Sequence, residues 1–467
     1  MDNRFDNFQD KRMLIFRELV KRAWNNDFNG DLNELVNDIK FKYGFKDEDK
    51  QFIADHIRVA LGLDPNGEEE FFNEYNIATK LNRVKEPIVT KVEGVCEYCG
   101  ENIEDNDCYN SCKYEAHVYK RNKGPIIENN KCLSCGKCVS SCSFGAIADK
   151  IEFIPVIEML KDKDTDVYAA VAPSIVGQFG DDISMGQIRS ALKLMGFKDM
   201  IEVALFADIL TMKEAFEFDN LVKDKDDFFL TSCCCPVWIN LVKKHYPDLF
   251  EHMSPSVSPM IASGRVMKEL YDREIKVVFI SPCIAKKAEA KDEELNGDID
   301  FVLTYRELDE IFKAIDIDLK DLPKDEKDQA SFGGRVYART GGVSFSVKTV
   351  VNRIAPRRLI KFKSKKVDGV VDCKNLLDDL IDGKIDANFI EGMGCKGGCV
   401  GGPRTNIEVE KATKLVNEFG EDSLIMTPFD NMNAIKILKQ LGLNHIENIL
   451  KDNKVHNILK RQRSMKK

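Results

Sequence analysis

Three stretches of the chain end an apolar, strand-like run in cysteine. The first is Thr231-Ser232-Cys233-Cys234-Cys235-Pro236-Val237-Trp238, after Phe228-Phe229-Leu230. The second is Ser281-Pro282-Cys283-Ile284-Ala285-Lys286-Lys287, after Lys276-Val277-Val278-Phe279-Ile280. The third runs from Glu391 through Met393, Cys395 and Cys399 to Pro403, after Ala387-Asn388-Phe389-Ile390. Neighbouring cysteines cannot bridge one another without severe strain, so these thiols read as ligands or acid–base groups. A helical pattern opens after Pro236, and a strand end followed by a helix start is where α/β proteins expose reactive groups. Glycines around Cys395 and Cys399 let the backbone approach a bulky group and aim amides at sulfide or an anion. One thiolate from each of the first two stretches and two from the third make four, the number a cubane iron–sulfur cluster needs.

Eight more cysteines precede them. Cys96-x2-Cys99-x8-Cys108-x3-Cys112 is followed by Cys132-x2-Cys135-x2-Cys138-x3-Cys142. The second group has the spacing of bacterial ferredoxins, in which the fourth cysteine of one group ligates the other cluster. That resemblance implies one 4Fe–4S cluster on Cys96, Cys99, Cys108 and Cys142. A second falls on Cys132, Cys135, Cys138 and Cys112. Ser143 and Lys113 stand where such domains usually carry proline. Zinc is the alternative occupant, and His117 reads as a surface histidine.

The three later stretches resemble the signature motifs of the iron–iron (FeFe) hydrogenases, T-S-C-C-P-x-W, x-P-C-x-x-K-K and E-x-M-x-C-x-G-G-C. The resemblance extends from about residue 92 to about residue 405. It implies reversible reduction of two protons to H2 at an H-cluster. That cofactor is a 4Fe–4S cubane joined to a diiron subcluster carrying carbon monoxide, cyanide and an azadithiolate. The implied cubane ligands are Cys235, Cys283, Cys395 and Cys399, with Cys399 also bridging to the diiron unit. Motif one holds one cysteine more than the family pattern. Aligned backward from Pro236 and Trp238, Cys234 is the proton-relaying thiol and Cys233 is surplus; aligned forward from Thr231, both roles move one residue earlier. Lys286 matches the lysine that binds a cyanide, Pro173 and Ser174 the loop beside the other cyanide, and Met393 the methionine packed on the diiron unit. Ser281 replaces a common methionine. Glu217, Glu214, Ser254 and Cys234, in that order, match the family's proton path to the azadithiolate amine. The segment after Ser254 lacks the lysine and glutamine many members carry. The implied partners are a ferredoxin-type electron carrier, hydrogenase maturation proteins, and H2 and protons as substrates. A non-catalytic hydrogenase-like iron–sulfur assembly protein and an H2-sensing member are the alternatives.

The elements that position these groups read as a mixed α/β chain. With 467 residues and 43% hydrophobic content there is room for several domains with a large core. Residues 1–90 carry no cysteine and show helical spacing at Met13–Ala23 and Asp47–Leu61, a small helical domain. Residues 91–150 form the ferredoxin-like domain. Residues 151–430 alternate strand and helix patterns, with a buried strand at Val167–Ala172 and helices near Met185–Met195 and Val203–Phe218. Arg339-Thr340-Gly341-Gly342-Val343 reads as a glycine turn, and Cys373 as a structural thiol in an amphipathic segment. Helices are expected at about 407–419 and 432–451, and residues 431–467 form a helical extension with a frayed basic tail from Lys460. The net charge of −9 gives no footprint for nucleic acid. No leader or spanning apolar run is visible, and fifteen cysteines point to metal clusters in a reducing cytoplasm.

Overall fold

Two parallel sheets present their strand ends to the cysteine stretches. The computed structural model describes residues 8–28, 31–67, 70–78, 87–92, 107–112, 117–120, 124–231 and 234–461. Its strands are β1 (Val89–Lys91), β2 (His117–Lys120), β3 (Gly124–Ile127), β4 (Ile147–Asp149), β5 (Asp166–Val171) and β6 (Asp199–Glu202). They continue with β7 (Phe229–Leu230), β8 (Ile275–Ser281), β9 (Phe301–Thr304), β10 (Ser364–Asp368) and β11 (Phe389–Met393). One sheet has the order β6-β5-β8-β9, the other β10-β11-β7, and both are parallel. Strands such as Val167–Val171 are apolar without alternation because helices cover both faces.

The registers explain why the motifs converge. Ile280 pairs with Val171 and Leu303, and Phe389 pairs with Phe229. Motif two therefore leaves the carboxyl end of a central strand of one sheet. Motifs one and three leave adjacent strands of the other. The helix Ala204–Leu221 packs between these layers and is buried on almost every side. Such a helix is apolar all round except for residues with a polar task, and this one buries Asp208, Thr211, Lys213, Glu214 and Glu217.

The segment before residue 92 is packed on the rest of the chain. Phe16, Leu19 and Val20 of the helix Phe8–Trp24 join one apolar core with Phe153, Phe312 and the β5 residues Val167 and Ala169. Strand β1 pairs antiparallel with β4 across the expected boundary at 90/91. The helices at Met185–Leu194, Ala204–Leu221 and Val409–Glu421 lie where the periodicity puts them. Two expectations for the carboxyl-terminal region fail. The helix expected over 432–451 ends at Gln440, because Gly442 takes φ 104° and turns the chain; a short helix at Asn453–Ile458 follows. The basic tail is not frayed at its start, since Lys460 pairs with Ser256 and Arg461 is buried.

Candidate metal centre and proton path

Cys235 caps the helix Pro236–His245, Cys283 follows β8, and Cys395 and Cys399 follow β11. Gly394 donates its backbone N–H to Cys235 Sγ at 3.2 Å. Trp238, whose Nε1 donates to Thr231 O at 2.9 Å, lies against Gly392, where a Cβ would run into the indole. Burial pushes the Cys283 thiol up to about 12, with Cys235 and Cys399 adding to the rise. The same burial pushes Cys399 up to about 12, and holds Cys395 well above the ordinary thiol range. Desolvated thiols that raise one another must gain cationic partners to ionise, which is what iron supplies. Among the described residues no three His, Cys, Asp or Glu side chains stand close enough to hold a single metal ion. A cubane makes no such demand, because each thiolate binds its own iron corner. The donor set fits a 4Fe–4S cluster.

Beside these thiols is a cavity of about 50 Å³, lined by Pro173, Ser174, Cys234, Met260, Lys286, Tyr337 and Cys399 among others. Cys234 faces it, with Sγ 3.7 Å from Met393 Sδ. Burial and the neighbouring cysteines hold the Cys234 thiol well above its usual range. Cys233 lies outside the described residues, as do Cys96 and Cys99. Lys286 donates to Glu289 Oε2 at 2.6 Å; burial opposes its charge, but Glu289 outweighs burial and the ammonium is raised. The Ser174 hydroxyl is 2.7 Å from Tyr305 Oη, a partner sequence reading missed. Ser281 is buried and its Oγ accepts the Cys283 N–H at 3.3 Å.

The side chains expected along a proton path are buried and hydrogen-bonded. Ser254 Oγ donates to Glu217 Oε2 at 2.7 Å, which places the serine in direct contact with the outer of the two glutamates. Glu214 accepts from Thr231 Oγ1 at 2.8 Å, which ties it to the first residue of motif one. Lys213, fully buried, donates to Glu217 and to Ser256 Oγ at 2.8 Å. Sequence reading missed Lys213 although a lysine in an apolar helix was a signal. It placed Glu391 at the head of motif three but gave no role to its carboxylate, which accepts from Gly341 N at 2.7 Å and Ser344 N at 2.8 Å. This makes the Arg339–Val343 turn part of the site's frame: Thr340 N donates to Gly397 O at 2.9 Å, and Glu391 sits at the amino end of the helix Gly342–Ile354.

A larger cavity of about 270 Å³ is lined by Cys112, Cys132, Cys135 and Cys138, and also by Gly394 and Cys395. Burial pushes Cys135 up to about 11, with Cys132 and Cys112 adding to it. These are the four thiols expected together, next to a cysteine of motif three. Cys108 and Cys142 are buried nearby, and the expectation for the His117 side chain falls outside the described residues. Cys373 is buried and its thiol donates to Met393 O at 3.3 Å.

Comparison with known proteins follows the same lines. Residues 165–403, about half of the chain, match the family described as iron only hydrogenase large subunit, C-terminal domain. The NADP-reducing hydrogenase subunit HndD of Solidesulfovibrio fructosivorans is 28% identical over 59% of this chain and 56% of its own length. Iron hydrogenase 1 of Clostridium pasteurianum is 26% identical over 61% of this chain and 65% of its own. The chain thus spans less than two thirds of either relative. Protein NAR1 of Arabidopsis thaliana is 23% identical over 69% of this chain and 85% of its own. A variant of the FeFe-hydrogenase HydA1 of Chlamydomonas reinhardtii shares the fold with a TM-score of 0.55 at 21% identity, covering 66% of this chain and 97% of that one. A family match over half the chain, on a shared mixed α/β fold, makes this protein a member of the iron-only hydrogenase large-subunit family.

Proposed function

We propose that this protein is an FeFe hydrogenase that interconverts two protons and two electrons with H2. The observation that carries the reading is the position of Cys234. It is a thiol on the wall of a small cavity shared with Lys286 and Cys399, one residue from the four-thiol cradle. A cluster scaffold has no use for an acid on a cavity wall; proton chemistry does. On this reading Cys235, Cys283, Cys395 and Cys399 hold a cubane, and the adjoining cavity receives the diiron unit. When bound, that unit supplies the metal pair and amine at which H2 is formed or split. Pro173, Ser174 and Met393 shape the wall, and Lys286 offers an ammonium to an anionic ligand.

Proton delivery falls to side chains. Glu217, held by Lys213 and Ser254, exchanges protons with the outer region; Glu214, held by Thr231, exchanges them with Cys234. Electron delivery falls to the amino-terminal thiols. Cys112, Cys132, Cys135 and Cys138 would hold one 4Fe–4S cluster at the cavity that Cys395 also borders, and Cys96, Cys99, Cys108 and Cys142 would hold another. A ferredoxin-type carrier would supply the electrons in a reducing cytoplasm, and maturation proteins would deliver the cofactor. No helix among the described residues is long and apolar enough to cross a membrane.

The second reading is a non-catalytic assembly protein, favoured by similarity to a cytosolic Fe-S cluster assembly factor of Xenopus tropicalis, 23% identical over 64% of the chain. Isotope exchange separates the two without needing an electron partner. The loaded protein in ordinary water under D2 should release HD. Absence of HD from protein carrying a full complement of cofactor would overturn the enzyme reading.

A further inference from the structure

The carboxyl-terminal segment lies outside the family match and does not line the cavity, but it is joined to a residue that does. The helix Asn453–Ile458 is followed by residues that pair with the loop after Ser254. Val257 N donates to Leu459 O at 3.1 Å, Ser256 bridges Lys460, and Arg461 N donates to Pro255 O at 2.7 Å. Arg265 donates to the carbonyls of Lys460 at 2.9 Å and Ile458 at 3.3 Å. These bonds fix where the Arg461 side chain goes. Its Nη2 donates to Glu289 Oε1 at 3.0 Å, and the other oxygen of Glu289 takes Lys286. All three side chains are buried.

Charge counting gives the arrangement a purpose. Lys286 and Glu289 alone would be a closed, neutral pair, with little pull on anything in the cavity. Arg461 adds a second cation to the same carboxylate, so the buried trio carries one positive charge too many. Asp292 forms a looser ion pair with Arg461 at 3.6 Å, and being 28% exposed and partly screened by water it offsets that surplus only in part. Buried charge needs a partner, and Lys286 is the member of the trio on the cavity wall.

We propose that Arg461 is a positioning residue for an anion in this cavity: by holding Glu289 from behind, it leaves the Lys286 ammonium uncancelled toward a small anionic ligand. The identity of that ligand as a metal-bound cyanide rests on the hydrogenase reading; the anion site itself does not.

The test therefore begins without the diiron unit. Thiocyanate, a small linear anion with a readable infrared stretch, is titrated into full-length protein carrying only its iron–sulfur clusters. Wild type should bind it, Arg461→Gln at least about tenfold more weakly, the factor that corresponds to 1.4 kcal/mol, and Arg461→Lys close to wild type. Equal binding by wild type and Arg461→Gln, or none by wild type, overturns the proposal. Equal loss in Arg461→Lys and Arg461→Gln also overturns it, since the residue would then be a structural staple. Should Arg461→Gln not fold, Lys286→Met decides: it must abolish binding, and retained binding overturns the proposal. In protein loaded with the diiron unit, Arg461→Gln should also shift one cyanide stretch, and Arg461→Lys should restore it. Failure of the loading would count against the hydrogenase reading while leaving the thiocyanate result intact.

Discussion

Lys287 places its ammonium 2.8 Å from Asp149 Oδ2 and 2.6 Å from Glu307 Oε1, with all three side chains buried. Lys286 and Lys287 are adjacent in motif two but face opposite ways. One serves the cavity; the other serves the joint between chain segments. Asp149 also takes Arg12 at 3.0 Å, from the first helix, and Arg404, just past motif three. A single carboxylate at the end of β4 thus gathers cations from three distant parts of the chain.

Removing that carboxylate should be costly. Asp149→Ala leaves Arg12, Lys287 and Arg404 buried with Glu307 alone, and breaking a buried ion pair typically costs about 3–5 kcal/mol. A urea midpoint lowered by an equivalent amount is the expected result. A change within about 0.5 kcal/mol, the range of ordinary surface substitutions, would show that the cluster does not join the segments.

Two buried carboxyls should give pH dependences of opposite sign. Burial would raise Asp149, but Arg404, Lys287 and Arg12 outweigh it and hold it well below the carboxylate range. Its contribution is present above the unfolded pKa near about 4 and is lost as pH falls below it. Asp208 is pushed up to about 6 by burial, against the donors Ser331 and Asn431. The folded form holds that proton more tightly, so stability from this group is full below about pH 4 and lost as pH rises through about 6. A rise of that size is worth about 3 kcal/mol. Urea midpoints at about pH 4.5, inside that window where most of the contribution remains, and about pH 7.5, above it where the contribution is gone, should therefore converge in Asp208→Asn relative to wild type. An unchanged pH slope would contradict the assignment.

The two registers of motif one make different predictions. Cys234→Ser should keep every cluster and lose about 100-fold or more in H2 turnover, since a serine hydroxyl is a far weaker acid than a thiol. Cys233→Ser should not. The reverse pattern would move both roles one residue earlier.

Lys213 and Glu217 should behave as a unit. Lys213→Met leaves a buried carboxylate without its cation, and should destabilise by about 3–5 kcal/mol. Adding Glu217→Gln should recover part of that loss, since removing both charges is cheaper than stranding one. Additive effects in the double variant would mean that the pair is not coupled. Turnover should fall in both single variants if the pair lies on the proton path.

The strand-end cysteines were readable because apolar runs, glycines and a helix-opening proline sit next to each other in sequence. The α/β alternation was readable for the same reason. What was not readable depends on residues far apart. Nothing in the sequence near Asp149 announces Arg12 or Arg404, and nothing near Glu289 announces Arg461. Thr231 and Lys213 fell inside segments already read; the partner of Thr231, Glu214, is fixed only when the Ala204–Leu221 helix docks beside β7, whereas Lys213 and Glu217 stand one turn apart on that helix, a spacing the sequence does show. The helix expected over 432–451 failed because periodicity persists past Gly442, where the backbone's left-handed turn ends it. Whether Cys234 is relay or cubane ligand could not be read from sequence, since its neighbours are cysteines on both sides.

Infrared spectroscopy of protein matured with the diiron cofactor, with H2 measured on the same sample, tests the central claim most directly. Cyanide and carbonyl bands together with H2 production are the predicted result. No such bands from protein that retains its iron and sulfide would contradict the account and leave an iron–sulfur scaffold in its place.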